Sequence, residues 1–537
     1  MARRDQLLFA AGTAIFLFYA ALFIYRTSFV VGGERYFSLF DDAMVSMRYA
    51  RNLAHGYGLV WNPGGERVEG YTNPLWVLYM ALVHLLPIPQ SKTSLVIQST
   101  AAILLALNLW YVRRIAFAVS GGSRMIAWGA VALTASYLPI NNWSLQGMEV
   151  SVLVPLTSIC VWLAIRCLDS GRFEPRLFLF LGLGTLVRPD MVVLLAAFLS
   201  FFVAADPVHR RKHAVWGSAA LVAAVVAQTA LRVSYYHDVL PNTFYLKITG
   251  VPVLLRITRG LYVLLQFVWK ANALLFALPF ALAFGRDRRI KLMLWTVLAQ
   301  VAYSVYVGGD AWEYWGGSNR YIAIVMPEFF ILMAYAMSIV VSAVVNAVAP
   351  AWSTSAVRSK LQAFAFAALI AFAVVSVNSI HGTEALAEAL LIEPPLHTGD
   401  GGENHQEVEE ALLLSAATRP DATLAVVRAG TIPYFADRYS IDLLGKNDKV
   451  IAREPARLST GRRRFVEFRP GHVKFDYGHS IGRLKPDLVI QLWTHADEAA
   501  PFLRDQYELV SLDGKCIYAR RGSPNVVWSR FVPHACK

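Results

Sequence analysis

Long apolar segments recur through the first 380 residues, and this pattern limits the chain to a membrane-spanning fold. A hydrocarbon core about 30 Å thick is crossed by roughly 20 helical residues. Several segments are shorter than this, so broken or tilted helices are expected there. With 56% hydrophobic and only 16% charged residues in 537, the composition excludes an ordinary soluble enzyme. About eleven transmembrane helices are predicted, at 6–26, 93–112, 125–140, 150–168, 177–188, 191–205, 214–232, 267–285, 290–307, 321–348 and 361–380.

The basic residues predict the orientation of this membrane domain, which comprises residues 1–380. The net charge of +13 is large enough to suggest a nucleic-acid partner, but the Lys and Arg residues lie in short clusters between apolar segments. Such clusters mark cytoplasmic loops, so no nucleic acid is expected. Arg3 and Arg4 place the amino terminus in the cytoplasm, and residues 27–92 then form a long outer loop. Within this loop, the apolar run 74–86 is predicted to lie as a helix along the outer membrane surface.

After the last apolar segment the composition changes, and residues 381–537 are predicted to form an extracytoplasmic soluble domain. Mixed charge, alternating apolar stretches such as PDLVIQLW and frequent turn residues favour an α/β or β-rich fold. Cys516 and Cys536 lie on the exterior side, where a disulfide can form, but the sequence does not fix the pairing. Cys160 and Cys167, in or beside a span, are interpreted as packing residues.

Two adjacent carboxylates, Asp41 and Asp42, follow the first span. A carboxylate there can take the proton from an attacking hydroxyl group, while a second acid or a cation stabilises the leaving group. This arrangement suits group transfer. Both residues also precede a helix-like stretch, AMVSMRYARNLA, and an Asp can cap a helix and interact favourably with its dipole. Capping explains only one of them well, so at least one is predicted to be catalytic, with Asp41 favoured because it follows the span first.

Charged residues at the outer ends of other spans predict an anionic ligand. Positive charge is disfavoured on the outer side, yet four basic residues lie there. A lipid phosphate needs several Arg or Lys contacts, while its tail can remain in the bilayer. For any one residue, snorkelling toward phospholipid headgroups is the alternative, and Glu149 and Asp190 have local explanations as a helix-start acid and a partner of Arg188. The four basic residues are Arg188, Arg232, Lys247 and Arg320.

Aromatic residues are dense in the same outer segments. Sugar rings stack on Tyr and Trp side chains, but membrane interfaces are also rich in both residues, so an interfacial role is the default for any single one. The glycine-rich stretch GGERVEG is not a phosphate-binding loop, because it lacks the flanking strand and helix of that motif. The aromatic set comprises Tyr49, Tyr57, Trp61, Tyr71, Trp76, Tyr235, Tyr236, Tyr245, Trp312, Tyr314 and Trp315.

The order of these segments resembles a known family. The segment DDAMVSMRYARNLAHGYGLVWNPGGERVEGYTNPLW is followed by GMEV, LVRPD, YYHDVLPNTFYLK and GGDAWEYWGGSNRY. The likeness continues through AGTIPYFADRYSIDLLGKNDKVIAR and RPGHVK. In this order the motifs resemble GT-C-fold glycosyltransferases that take sugars from polyprenyl-phosphate donors, above all the mycobacterial terminal arabinofuranosyltransferase (AftB-type) family.

The resemblance implies a helical membrane core whose first outer loop carries the catalytic acid, Asp41 or Asp42. The donor would be a polyprenyl-phosphate sugar such as decaprenyl-phosphate-linked arabinofuranose, and the acceptor a cell-envelope glycan at the outer face of a bacterial inner membrane. The sequence shows no need for a cofactor, although an acidic patch can hold a divalent cation. The C-terminal domain would resemble a carbohydrate-binding module, with His472 and Lys474 facing the acceptor or the membrane domain, or else stabilising a turn. The implied donor-binding residues are Arg48, Glu69, Tyr71, Glu149, Arg188, Asp190, Arg232, Tyr236, His237, Asn242, Lys247, Asp310, Glu313 and Arg320.

Several alternatives stay open. Related enzymes of this architecture transfer mannose, aminoarabinose or other sugars, some of them to proteins, and a fold does not select a substrate. The carboxylate is a general base if configuration is inverted, or a nucleophile or ion-pair stabiliser if it is retained. A transporter for an anionic lipid or solute would carry charges near the membrane midplane and often shows repeated halves. Here the charges lie at the outer ends of spans and no internal repeat is evident, which favours a transferase over a transporter or a noncatalytic glycan-binding subunit.

Overall fold

Helices form most of the structure, a computed structural model that describes residues 3–311, 313, 319–348, 354–379, 383–395 and 398–533. The first twelve helices are α1 (Arg3–Arg26), α2 (Asp41–Ala54), α3 (Pro74–His84), α4 (Gln90–Val119), α5 (Arg124–Ala135), α6 (Leu138–Leu145), α7 (Val150–Ser170), α8 (Arg176–Val187), α9 (Val192–Ala205), α10 (Arg210–Tyr236), α11 (Asn242–Lys247) and α12 (Val253–Lys270). They are followed by α13 (Ala273–Ala277), α14 (Arg288–Val307), α15 (Arg320–Ala323), α16 (Met326–Val348), α17 (Ser355–Asn378), α18 (Thr383–Ala389), α19 (Glu403–Ala417), α20 (Thr431–Ala436), α21 (Lys449–Arg453), α22 (Arg464–Glu467) and α23 (Ala500–Gln506). The strands are β1 (Phe29–Val31), β2 (Glu34–Tyr36), β3 (Thr423–Val426), β4 (Tyr439–Asp442), β5 (Leu488–Val489), β6 (Tyr507–Leu512), β7 (Lys515–Arg520) and β8 (Val532–Pro533).

Many of these helices suit a membrane. Among the described residues, seven are long and apolar enough to cross one, and an eighth span is counted if the bent pair Val253–Lys270 and Ala273–Phe284 is taken as one. Three further predicted spans correspond to the shorter apolar helices α5, α8 and α9. The prediction of a polytopic α-helical membrane protein is therefore confirmed. The seven are α1, α4, α7, α10, α14, α16 and α17.

One predicted span, 267–285, was wrong as a continuous helix. The chain bends by 110° between α12 and the segment Ala273–Phe284. Asn272 stands at the break with a φ of 83°, and its side chain accepts the N–H groups of Leu274 and Leu275. An Asn in the left-handed region that caps a new helix ends the preceding one, because the old backbone ladder cannot continue through it.

The chain divides into two compact units. A helical unit combines Met1–Arg26, Gln98–Val226 and Arg256–Leu396. A mixed unit combines Thr27–Ile97, Ala227–Leu255 and His397–Lys537. The mixed unit therefore contains the predicted outer loop 27–92 together with most of the predicted C-terminal domain, while the boundary placed at residue 380 stays a prediction.

The helical unit is built by helices in close contact. In it α5 packs against α16 and α17, and α14 packs against α9 and α16. Gly129 lets α5 approach α17, since a Cβ atom there would lie 2.7 Å from the ring of Phe366. Small residues at such contacts allow the close packing that holds helices together in lipid, where no hydrophobic force acts between them.

The mixed unit is centred on a six-stranded sheet in the order β4-β3-β5-β7-β6-β8. The pairs of β3 with β4 and with β5 are parallel, and the other pairs are antiparallel. Its core includes Ile441, Phe475, Tyr477, Val489 and Tyr507. Helix α23 packs against β6, and the prediction of an α/β or β-rich C-terminal domain is confirmed.

The segment predicted as the first outer loop is ordered around α2 in the same unit. Strands β1 and β2 form a hairpin that pairs Phe29 with Tyr36, and α2 packs against α3 and α20. Every residue of α2 from Ala43 to Asn52 is buried. A helix that is enclosed on all sides has a fixed axis, so the residues at its first turn, Asp41 and Asp42, are fixed as well.

Candidate active site

Asp41 and Asp42 occupy the first turn of α2, but neither is its capping residue. The N-cap position is Phe40. Oδ1 of Asp41 instead accepts two backbone hydrogen bonds from the start of α20, from Gly430 N–H at 3.0 Å and from Thr431 N–H at 2.9 Å. The capping interpretation therefore does not account for Asp41, although both charges still interact favourably with the helix dipole.

The surroundings of Asp41 make it a stronger base than an ordinary aspartate. Burial is the main cause that raises its pKa, and the neighbouring charge of Asp42 acts in the same direction. The Thr431 N–H bond and the charges of Arg428 and Lys446 oppose this shift of the pKa without cancelling it. Asp41 is thus held through one oxygen and has a raised affinity for a proton.

Arg428 connects Asp41 to two further acids. Its Nη1 atom lies 2.9 Å from a carboxylate oxygen of Glu403 and also contacts Glu407. Burial, and next the charge of Asp41, raise the pKa of Glu407 to about 8. Sequence reasoning missed this group, because Glu403, Glu407 and Arg428 stand in no motif with Asp41.

Asp42 forms an ion pair with Lys446, whose Nζ lies 2.5 Å from Oδ1 of Asp42. The Asp42 side chain is 23% exposed and that of Lys446 22%, so both can be reached from outside. The charge of Asp42 raises the pKa of His472, whereas the charges of Lys247 and Lys446 lower it. An acid and three nitrogen bases therefore share one part of the mixed unit. Lys446 was not singled out from the sequence, although it lies in a segment that carried the family resemblance.

Asn242 holds the loop that presents Lys446. Its Nδ2 atom lies within hydrogen-bond distance of the carbonyl oxygens of Gly445 at 2.9 Å, Lys446 at 3.0 Å and Asp448 at 3.3 Å. From the other side, Asp442 accepts the backbone N–H groups of Leu444, Gly445 and Asn447. Asn242, predicted to bind the donor, thus positions a neighbouring loop through its amide.

Arg48, another predicted donor-binding residue, is buried and directs its guanidinium at protein atoms. It donates to the carbonyl oxygens of Trp61 at 2.6 Å and Arg438 at 2.8 Å, to Asn62 Oδ1 at 2.7 Å, and to Pro433. Burial is the main cause that lowers the pKa of Arg48, to about 9. These bonds tie α2 to the segments around it.

Glu69, Arg232, Tyr71 and Tyr236 also lie together in the mixed unit. Arg232 Nε lies 2.7 Å from Oε2 of Glu69. The hydroxyl groups of Tyr71 and Tyr236 are 2.9 Å apart and buried. Burial raises the pKa of Glu69, against the pull of Arg232. The predicted anion-binding Arg232 therefore already has an acidic partner.

Four more predicted residues lie in this unit. His237 is exposed, with a φ of 57°, and the side chain of Lys247 lies against Gly471. The ring Nδ1 of His472 is 3.2 Å from the Pro470 carbonyl oxygen, and burial lowers the pKa of His472 to about 4. Lys474 is buried and donates to the carbonyl oxygens of Tyr245 and Ala452, each at 2.9 Å. For Lys474 these contacts fit the structural alternative.

The remaining predicted residues form a buried cluster in the helical unit. Arg188 lies 2.6 Å from Oε1 of Glu149 and 2.9 Å from Oδ2 of Asp190, and its guanidinium stands 4.7 Å from the ring centre of Tyr321. The pairing of Arg188 with Asp190 that the RPD sequence suggested is present. Beside Tyr321, Arg320 pairs with Asp310 at 2.9 Å.

Glu313 belongs to the same cluster. Its Oε1 accepts the backbone N–H of Asp310 at 2.7 Å and Nδ2 of Asn319 at 2.9 Å. Burial, and next the charge of Asp310, raise the pKa of Glu313 to about 7. Nearby in the sequence, Trp312, Tyr314 and Trp315 lie outside the described residues.

Three of the four basic residues predicted to bind an anion are thus already paired with carboxylates, and that role stays a prediction for all four.

The polar side chains of Asn142, Ser144 and Gln146 are buried in the helical unit without a hydrogen-bond partner among the described residues. Such groups are costly unless water or a ligand meets them.

A divalent cation at the aspartate pair was left open by the sequence. In the part of the chain that the structure describes, neither Asp41 nor Asp42 belongs to a group of three His, Cys, Asp or Glu ligand atoms close enough to share an ion.

Of the two cysteines predicted on the exterior side, Cys516 is disulfide-bonded, whereas Cys536 lies outside the described residues.

The fold is that of the GT-C class. ArnT from Cupriavidus metallidurans, solved bound to undecaprenyl phosphate, matches with a TM-score of 0.55 and 14% identity, covering 97% of this chain and 99% of that one. The apo form of ArnT from the same organism matches with a TM-score of 0.51 and 14% identity, covering 96% and 97%. At this identity the match establishes the architecture, and the predicted GT-C fold is confirmed.

Two sequence comparisons cover parts of the chain. Residues 398–528 match a domain family of unknown function, DUF8728. A terminal beta-(1->2)-arabinofuranosyltransferase of Mycobacterium tuberculosis is 26% identical over 215 residues, which are 38% of this chain and 34% of that protein. The chain thus matches about a third of the length of this curated relative, and the recognised resemblance to a GT-C glycosyltransferase is supported.

Proposed function

We propose that this chain is a membrane glycosyltransferase that moves a sugar from a polyprenyl-phosphate donor to a cell-envelope glycan. The GT-C fold shared with ArnT supports the class. The observation that carries the proposal is the setting of Asp41, because two backbone amides fix its Oδ1 and burial raises its pKa. A general base for a hydroxyl group needs both a fixed position and a raised proton affinity.

In the proposed reaction Asp41 takes the proton of an acceptor hydroxyl as its oxygen attacks the anomeric carbon of the donor sugar. The bond between that carbon and the phosphate oxygen breaks, and the polyprenyl phosphate leaves with the electron pair. This displacement inverts the anomeric configuration. A product of retained configuration would instead assign the carboxylate as nucleophile or ion-pair stabiliser, so the anomer of the product distinguishes the two mechanisms.

Lys446 and Lys247 are the proposed contacts of the donor phosphate. The Lys446 side chain is partly exposed, and the charges of both lysines lower the pKa of the same residue, His472. Several cationic donors are needed to hold a phosphate and to stabilise it as a leaving group. In this proposal the ion pair with Asp42 orients Lys446 before the donor binds.

The buried cluster around Arg188 and Arg320 in the helical unit is proposed to contact the donor as well. Each arginine already faces a carboxylate. Removing either would leave a buried unpaired acid, which is strongly destabilising. Loss of activity in such variants therefore counts only when the melting temperature is retained.

Arabinofuranose is the first sugar to test, because the curated relative is described as an arabinofuranosyltransferase. The proposed location is a bacterial inner membrane, with the amino terminus inside and transfer to the acceptor glycan at the outer face. Basic clusters between apolar segments support this orientation.

The experiment uses the full chain purified in detergent, labelled polyprenyl-phosphate donors of arabinofuranose, aminoarabinose, mannose and glucose, and short glycan acceptors. One donor should be consumed by the wild type. Asp41→Asn should lower the rate by about 100-fold or more, the scale of general-base catalysis. Asp513→Asn, at an exposed turn with a φ of 50° that Asn tolerates, is the matched control and should keep full activity.

Two outcomes would overturn the proposal. Wild-type rates in Asp41→Asn, with an unchanged melting temperature, would remove Asp41 as the base. If no donor is consumed while a labelled anionic lipid or solute crosses a reconstituted bilayer, the chain is a transporter.

A further inference from the structure

The ends of three helices in the helical unit bring metal-binding side chains together. Cys167 lies near the end of α7, Asp206 directly follows α9, and His213 lies in the first turn of α10. One ligand atom from each of these residues lies within 4.8 Å of the others. A sulfur, an oxygen and a nitrogen donor converge from three separate elements.

His209 lies beside this group of three and is a candidate for a fourth donor, although it is not part of the close group itself. Its Nδ1 atom lies 3.2 Å from Oδ2 of Asp206, and Nε2 of His213 lies 3.0 Å from the same oxygen. The sequence therefore reads D-x2-H-x3-H over residues 206–213. His209 directly precedes α10 and His213 lies in its first turn, and two His residues separated by three others are common among zinc ligands.

His213 carries an independent sign of a missing ligand. Its side chain is fully buried, and its Nδ1 atom has no hydrogen-bond partner among the described residues. The ring stacks on Phe202 at 4.6 Å and meets Phe173 and Phe178 edge-on. An imidazole nitrogen left unpaired in apolar surroundings is costly unless a ligand or water meets it.

A plain hydrogen-bonded turn explains part of this arrangement. Asp206 Oδ1 also accepts the backbone N–H of His209 at 3.2 Å, so the carboxylate could simply hold the start of α10. That explanation leaves the position of Cys167 beside Asp206 and His213 without a role. The Cys167 thiol is free and buried.

We propose that Cys167, Asp206, His209 and His213 bind a zinc ion that joins the ends of α7, α9 and α10. A set of one sulfur, one oxygen and two nitrogen donors suits Zn²⁺, and four protein ligands are typical of structural sites. The thiol gives up its proton on binding, so that Cys–SH and Zn²⁺ yield a Cys–S–Zn bond and H⁺. The thiolate and the Asp206 carboxylate then balance the two charges of the ion. When zinc binds, the ligand atoms must move closer together than they are in this structure.

The position of the site in the chain fits this role. It adjoins the basic segment Arg210–Lys212, which the sequence places on the cytoplasmic side, where thiols stay reduced. The proposed zinc site is independent of sugar transfer, so each proposal can fail alone.

The test is elemental analysis of the full chain purified in detergent, after zinc loading and passage over a weak chelating resin. The wild type should retain about one zinc ion per chain, and Cys167→Ser and His213→Gln should each lose most of it. Cys160→Ser is the matched control, because Cys160 is the other free, buried cysteine of α7 and belongs to no such group among the described residues. It should bind zinc as the wild type does.

A second measurement keeps the test valid if a variant folds poorly. Cobalt(II) added to the metal-free wild type should produce a thiolate-to-cobalt charge-transfer band, and excess zinc should abolish it and raise the melting temperature, as a ligand of the native state does. Wild-type protein that retains no more zinc than Cys167→Ser, or a cobalt band that depends on Cys160, would overturn the proposal.

Discussion

Gly430 lies so close to Asp41 that a Cβ atom on the glycine would stand 2.0 Å from the Asp41 backbone oxygen and 2.7 Å from its Oδ1. The Gly430 N–H donates to that same Oδ1 at 3.0 Å. Both residues belong to the mixed unit, although 389 positions separate them in the chain. The position of the carboxylate is therefore set by the start of α20 as much as by α2.

Gly430→Ala should lower kcat/KM by about 100-fold, because the methyl group must displace the carboxylate and a shift of about 1 Å in a catalytic group costs that much. The measurement is the initial rate with the donor that the wild type consumes, together with the melting temperature. Gly461→Ala is the control, since a Cβ atom there would meet only Ser459 Oγ at 3.7 Å. A wild-type rate in Gly430→Ala would show that the contact does not position the base.

Much of the fold could be predicted from local sequence, because a span of about 20 apolar residues carries its own signal. The bend after α12 was missed because the apolar composition continues across it. Asn272 was the available signal, since a polar residue between two apolar stretches can cap a new helix. Most of helix α12 was not predicted as a span because it contains Arg256 and Arg259. Both residues lower the hydropathy of the segment, yet both are buried in the structure.

The site was predictable only where its partners are neighbours in sequence. Arg188 and Asp190 are two residues apart, and their pairing was foreseen. The Arg232–Glu69 and Lys446–Asp42 contacts join residues 163 and 404 positions apart. No periodic pattern encodes such pairs. The four basic residues were therefore interpreted as anion ligands, although three of them, Arg188, Arg232 and Arg320, pair with carboxylates in the structure.

Arg48→Lys should destabilise the protein even though it keeps the charge. The guanidinium donates to several acceptors in different directions, and an ammonium group cannot reproduce that geometry. Buried carbonyl groups left without donors should lower the free energy of unfolding by about 3 kcal/mol. Thermal melting of the full chain in detergent measures this, with exposed Arg462→Lys as a control expected to stay within about 0.5 kcal/mol. Equal melting temperatures of Arg48→Lys and the wild type would show that these hydrogen bonds from Arg48 do not stabilise the fold.

Lys446→Gln should move the acidic limb of the pH–rate profile to higher pH. The Lys446 charge lowers the pKa of Asp41, so its removal raises that pKa further, and the base then becomes protonated at a higher pH. The overall rate should also fall if Lys446 holds the donor phosphate. Lys446→Arg keeps the charge and should leave the limb in place. The pH dependence of kcat/KM for the three proteins decides the matter, and an unshifted or downward-shifted limb in Lys446→Gln would contradict it.

Glu407 should make the stability of the protein depend on pH. Its pKa in the folded state is about 8, above the value near 4.3 expected for an unfolded chain. A group whose pKa is raised by folding stabilises the native state fully below its unfolded pKa, and that stabilisation is lost as the pH rises through the folded value. Between about pH 5 and pH 9, ionisation therefore favours the unfolded chain progressively.

Glu407→Gln should remove this pH dependence of the stability. The melting temperature of the variant relative to the wild type should rise steadily from pH 5 to pH 9, whatever constant cost the lost contact with Arg428 imposes at every pH. Glu409→Gln, on the same helix with a 44% exposed side chain, is the control and should show a difference that changes little with pH. Melting curves of the three full-length proteins in one detergent across this range provide the measurement. A relative melting temperature of Glu407→Gln that stays flat or falls would mean that Glu407 does not carry a raised pKa in the folded protein.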